Sequence, residues 1–104
     1  MLSKKKRITK EVFQSIMKNG KAFHGSLFLF RYLPSKTPQY SFVVPKNIAK
    51  SAVIRNKFRR TGYNILLKYE LKPTSGIFFY KKEALKAKKE DIEIDISLIL
   101  NKTN

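Results

Sequence analysis

Cysteine is absent from the 104 residues and histidine occurs once, at His24. Neither a disulfide framework nor a thiolate metal site can form, a zinc finger is excluded, and the reducing cytoplasm is the expected compartment. No apolar run approaches the ~20 residues that span a bilayer. No signal peptide is expected, because Met1-Leu2-Ser3 runs straight into Lys4-Lys5-Lys6-Arg7 with no apolar region behind it. Negative charge is scarce too, with 7 acidic side chains against 23 Lys or Arg and a formal net charge of +16. Acidic residues are missing from Val12 through Tyr69, a span that holds eleven Lys or Arg, while five of the seven acids lie between Glu83 and Asp95. An ordinary solvated surface mixes both signs.

A field of this kind attracts phosphate backbones and speeds their encounter, with strong salt dependence. Nucleic acid is therefore the leading partner class. An anionic membrane surface is the weaker competitor, because the cations are not confined to one amphipathic helix. The chain is 42% apolar with eight Phe and five Tyr, enough for one small core. Residues 1–104 are read as a single nucleic-acid-binding domain, with residues 1–7 as a flexible basic arm.

Thr9 reads as the N-cap of a helix over about 10–18, with Glu11 in its first turn, Ile8 placed to staple onto Phe13, and Asn19-Gly20 as a left-handed stop. Val12, Phe13, Ile16 and Met17 form its apolar stripe. Ser26–Leu33 and Tyr40–Val44 read as two antiparallel strands joined by a turn. Alternation puts Phe28, Phe30 and Tyr32 on one face and Leu27, Leu29, Arg31 and Leu33 on the other, so the sheet is either sandwiched or keeps one face for a ligand. A long helix is predicted over about 50–71, stopping short of Pro73. Ile54, Phe58, Ile65, Leu66 and Tyr69 gather on one side of it, and Asn56, Arg59, Arg60 and Tyr63 on the other. Gly62 in its interior marks close packing or a bend. Gly76–Tyr80 reads as a further strand and Lys81–Glu90 has high helix propensity. The last segment alternates like a strand at Ile92, Ile94 and Ile96, yet Ile92, Ile96, Ile99 and Leu100 also match a helical stripe, and the helix is preferred. The fold class is α+β, helices layered on a mixed sheet.

Bond-breaking chemistry has few candidates. A nuclease needs converging carboxylates for metal ions or a histidine pair. His24 reads as a solvated loop residue, Asp91 and Asp95 as the polar side of an amphipathic element, and no Gly-rich phosphate loop occurs. The polypeptide itself is not expected to make or break bonds. Density of another kind stands in Arg55-Asn56-Lys57-Phe58-Arg59-Arg60, four cations and an amide within six residues. Arg55 and Arg59 lie one turn apart, like charges that destabilise an isolated helix by a few tenths of a kcal/mol per pair. Phosphates relieve that repulsion, and a guanidinium grips one with two hydrogen bonds. Asn56 adds a neutral donor and acceptor suited to a backbone or base edge.

The segment from Lys46 through Arg60 (KNIAKSAVIRNKFRR) resembles the signature of the bacterial ribonuclease P protein subunit, whose helix carries Arg-Asn-Arg-x-Lys-Arg-x-x-Arg. The basic arm, the Phe-containing first helix ending at Gly20, the aromatic strand, Phe42-Val43-Val44-Pro45-Lys46 and Ile77-Phe78-Phe79-Tyr80 come in the family's order. The resemblance implies a two-layer α/β sandwich with a mixed sheet of about four strands and a left-handed βαβ crossover, against the usual hand. It implies a subunit that binds ribonuclease P RNA and the 5′ leader of precursor tRNA and assists its removal, with catalysis by magnesium held mainly by the RNA. Contacts to the catalytic RNA carry over to Arg55, Asn56, Lys57, Arg59 and Arg60, with Lys46 and Lys50 beside them; the leader cleft carries over to Phe13, Met17 and Arg31. Lys57 stands where the family has arginine, Tyr63 where it has the motif's final arginine, and Arg31 where it often has tyrosine. A ribosomal structural protein and a DNA-binding module remain rivals at this point, and self-association is open.

Overall fold

The computed structural model describes residues 8–103. Helix α1 spans Lys10–Asn19, and the Thr9 hydroxyl accepts from Val12 N at its start. It does not end in a left-handed turn. Gly20 is extended at φ −70°, ψ 151°, and its N–H donates to Ile16 O at 2.8 Å. A Cβ there would sit 2.4 Å from that carbonyl oxygen, so glycine is needed for close approach rather than for handedness.

Four strands follow in chain order, β1 Lys21–His24, β2 Phe28–Pro34, β3 Gln39–Val43 and β4 Thr74–Tyr80, but they lie in the order β1-β2-β4-β3. Strands β1 and β2 pair antiparallel, so His24 ends an edge strand instead of lying in a loop. Strands β2 and β3 run in opposite directions yet are not paired. β4 enters between them, antiparallel to β2 with Phe30 opposite Phe78 and parallel to β3 with Phe42 opposite Phe78. A strand buried between two others reads as a nearly continuous apolar run, which Ile77-Phe78-Phe79-Tyr80 is.

Helix α2, Ala52–Leu66, connects β3 to β4, starting at the Ser51 cap. It is shorter than the predicted 50–71. After Leu66 the chain tightens, with Lys68 N donating to Ile65 O and Tyr69 N to Leu66 O, and this turns Tyr69 and Leu71 back onto the core. The stretch 81–90 is not one helix. A 3₁₀ turn, Lys82–Lys86, buries Ala84, and helix α3 begins at Lys89 and runs to Lys102, confirming the helical reading of the last segment.

The core lies between one face of the sheet and the helices α2 and α3. Phe28, Phe30, Tyr40, Phe42, Phe78 and Tyr80 meet Ile65, Leu66, Ile92, Ile96 and Ile99 there. The rings pack both ways, edge to face where Phe28 meets Phe78 at 5.6 Å and 80° and stacked where Phe42 meets Phe78 at 4.8 Å and 12°. Burial pushes the Tyr80 hydroxyl well above the usual phenol range, and it donates to Phe58 O at 2.6 Å. A Cβ on Gly62 would meet the Phe42 ring at 2.6 Å, so the helix axis can approach the sheet only with glycine at that position. Helix α1 covers part of the opposite face, where its Phe13 meets Phe79 at 6.4 Å, edge to face.

Two acidic residues expected at the surface divide. Asp91 is exposed, but Asp95 is buried, and its two carboxylate oxygens accept from Ser26 N and Leu27 N at 3.1 and 3.0 Å. It fastens α3 to the β1–β2 turn, satisfying two backbone donors from across the fold.

Candidate nucleic-acid interface

Only the second half of α2 is buried, through Gly62, Tyr63, Ile65 and Leu66. The first half overhangs the sheet, which is why Ile54, expected on the buried side, is 46% exposed and Val53 74%. The cationic motif occupies this projecting half. Asn56, Lys57 and Arg60 are exposed and Arg55 and Arg59 partly so, with Lys46 and Lys50 exposed in the segment leading in. Among the described residues the only ion pair is Lys68–Glu93 at 2.9 Å, so no carboxylate offsets the motif. These cations are held apart from the acids of α3 and are available to an external anion.

Their roles are unequal. Arg55 Nη1 donates to Ala49 O and Lys50 O at 2.9 and 2.7 Å, so its guanidinium also fastens the loop before the helix. Arg59 donates to the Asn56 side-chain oxygen, which orients both. Tyr63, expected on the outer polar face, is 8% exposed and packs edge to face on Phe42 at 5.2 Å. Its hydroxyl meets the free edge of β3, accepting from Phe42 N at 3.4 Å and lying 3.5 Å from Ser41 Oγ. A recess of about 580 Å³ opens at this edge, lined by Ile8, Ser41, Phe42, Asn56, Arg59, Arg60 and Tyr63. Ile8 thus lies beside the cationic motif, while the flexible basic arm expected over residues 1–7 falls outside the described residues.

A second cavity, about 650 Å³, lies on the opposite face of the sheet. Met17, Leu29, Pro45, Ile48 and Phe79 make it apolar, while Arg31, Lys81 and Lys82 add cations and Glu83 an acid at its margin. Of the three residues predicted for a cleft, Met17 and Arg31 line this cavity, whereas Phe13 does not and stands beside it. Met17 is 43% exposed, Arg31 Nη2 donates to Met17 O at 2.9 Å, and Phe13 stands against the Phe79 ring. Leu29 and Phe79 were not predicted for it. Strand alternation already placed Leu29 with Arg31, but Phe79 joins them only because β4 lies next to β2, which no local pattern announces.

No cluster of three or more His, Asp or Glu able to hold a metal ion occurs among the described residues. No described helix is long and apolar enough to cross a membrane.

Comparison with known proteins converges on one family. The model of the family Ribonuclease P matches residues 2–104. A ribonuclease P protein component from a Nitratiruptor species is 31% identical over 96 residues, covering 90% of this chain and 87% of that protein. The ribonuclease P protein of Staphylococcus aureus superposes with a TM-score of 0.83 at 21% identity, covering 95% of each chain. That of Thermotoga maritima gives 0.83 at 17%, covering 92% of this chain and 96% of its own. These two structures share the fold.

Proposed function

The chain belongs to the ribonuclease P protein family, and from that membership we propose that its two cavity-bearing faces serve two RNAs. It is the protein component of an endoribonuclease ribonucleoprotein that matures the 5′ ends of tRNA. The overhanging half of α2, with Asn56, Lys57 and Arg60 outermost, Arg55 and Arg59 partly exposed between them and Lys46 and Lys50 beside them, docks on the catalytic RNA by neutralising its phosphates. The apolar cavity beneath α1 takes the single-stranded 5′ leader of precursor tRNA, with Phe13 and Met17 offering apolar surface to unstacked bases and Arg31 tying α1 to the cleft wall. Magnesium carried by the RNA supplies the cutting chemistry. The polypeptide supplies counter-charge and alignment, and no step passes through a protein-held ion.

The observation that supports this reading is the placement of an acid-free cationic helix and an apolar cleft on different faces of one sheet, so both partners can be held at once. A purely structural RNA-binding protein needs the first surface but not the second. The test is cleavage of precursor tRNA by the cognate RNA at low magnesium, with and without the protein. Stimulation by the protein is expected; an RNA that cleaves equally well alone refutes the proposal.

A further inference from the structure

We infer that the recess at the free edge of β3 is a pocket for one unpaired ribonucleotide, its base set among Ser41, Asn56 and Tyr63 and its phosphate on Arg59 and Arg60. This rests on the RNA-binding reading above and adds to it a site that reads a base. At about 580 Å³ the recess falls within the ~300–1,000 Å³ range of small-ligand sites. Its chemistry separates base from backbone. A phosphate is an acceptor only, and the two guanidinium groups suffice for it. The Tyr63 hydroxyl already accepts from Phe42 N and the Asn56 oxygen from Arg59, which leaves the Asn56 amide N–H to donate and the Ser41 hydroxyl to donate and accept, a set that a phosphate leaves half unused and that a base edge, carrying both donors and acceptors, can satisfy. Ile8 and the edge of Phe42 give the apolar wall that a base plane needs.

Pairing state follows from the same geometry. Tyr63 is buried and the hydroxyls lie at the sheet edge beneath the projecting helix, so a base must leave its stack to reach them. Sequence-specific recognition of RNA characteristically targets such splayed bases in loops and bulges. Replacement of the family's final motif arginine by Tyr63 exchanges a phosphate contact for a hydroxyl at the bottom of this recess.

The experiment uses the full chain and a set of RNA hairpins identical except for a single bulged A, C, G or U, against the fully paired parent, with dissociation constants measured over a range of salt. At least one bulged hairpin should bind roughly tenfold tighter than the parent, the factor of one well-placed hydrogen-bonded contact. Ser41→Leu fills the recess from an edge strand without touching a cation. It should abolish that preference while leaving the parent's affinity and salt slope unchanged. Tyr63→Phe, which keeps the ring in the core, should reduce the preference, and guards against misfolding of the leucine variant. Equal binding of all five hairpins by the wild type, or a preference that survives both substitutions, overturns the pocket. Failure to bind any hairpin would instead overturn the RNA-binding reading itself.

Discussion

The two cavities are nearly equal in size and opposite in chemistry. The one beneath α1, about 650 Å³, is walled by Leu29, Phe79, Pro45 and Ile48; the one beside α2, about 580 Å³, by Ser41, Asn56, Arg59, Arg60 and Tyr63. Volume alone would rank them together. What separates them is the strand each borders. The apolar cavity sits over the inner strands β2 and β4, where alternation supplies large side chains, whereas the polar one sits at the edge strand β3, where an N–H without a strand partner recruits a hydroxyl. A sheet's centre yields apolar surface, and its edge yields surface that carries hydrogen-bonding groups.

The contrast breaks most sharply at the cations. Replacing Arg59 and Arg60 together by alanine should weaken binding to structured RNA by roughly ten- to a hundredfold and lower the salt slope by about two contacts, while a single-stranded leader oligonucleotide keeps its affinity. Filter binding at several salt concentrations decides it, and an unchanged slope would remove both side chains from the interface. Next is Phe13→Ala, which should cost leader binding about 1–3 kcal/mol with no change in salt slope. A slope that falls would mean that this cavity, too, works by charge. Smallest is Arg31→Lys. It keeps the charge but loses the donor to Met17 O at the end of α1, so thermal unfolding should show a loss of about 0.5–1 kcal/mol with RNA affinity unchanged. Unchanged stability would show that the hydrogen bond does not hold α1 to the cleft.

Much of the cationic side was legible in the sequence, because a helix puts residues one turn apart on one face wherever it sits. The motif and the packing of Gly62 needed no knowledge of neighbours beyond the sheet's existence, although the helix, expected from about residue 50, starts only after its Ser51 cap. The apolar side was less legible. Phe13, Met17 and Arg31 came from family resemblance, and Phe79 depends on a strand order that only long-range pairing sets. Strand β1 was missed because Lys21-Ala22-Phe23-His24 has little β-branched or alternating character and is exposed at three of four positions. Tyr63 was misplaced because the helical wheel gives an angle but not what faces it, and the edge of β3 faces it here. Asp95 escaped for a similar reason: a carboxylate looks solvated until two amides 68 and 69 residues away are found against it.

The insertion of β4 between β2 and β3 also governs the order in which this molecule can assemble. On a ribosome the N-terminal portion emerges first, and the only ladder it can close locally is β1 with β2. β3 has no neighbour to zip against, and α2 has an unfinished floor, until Thr74–Tyr80 has left the exit tunnel. The polycationic helix is therefore synthesised well before the platform that orients it, and a nascent chain arrested ahead of residue 74 should remain protease-sensitive throughout β3 and α2.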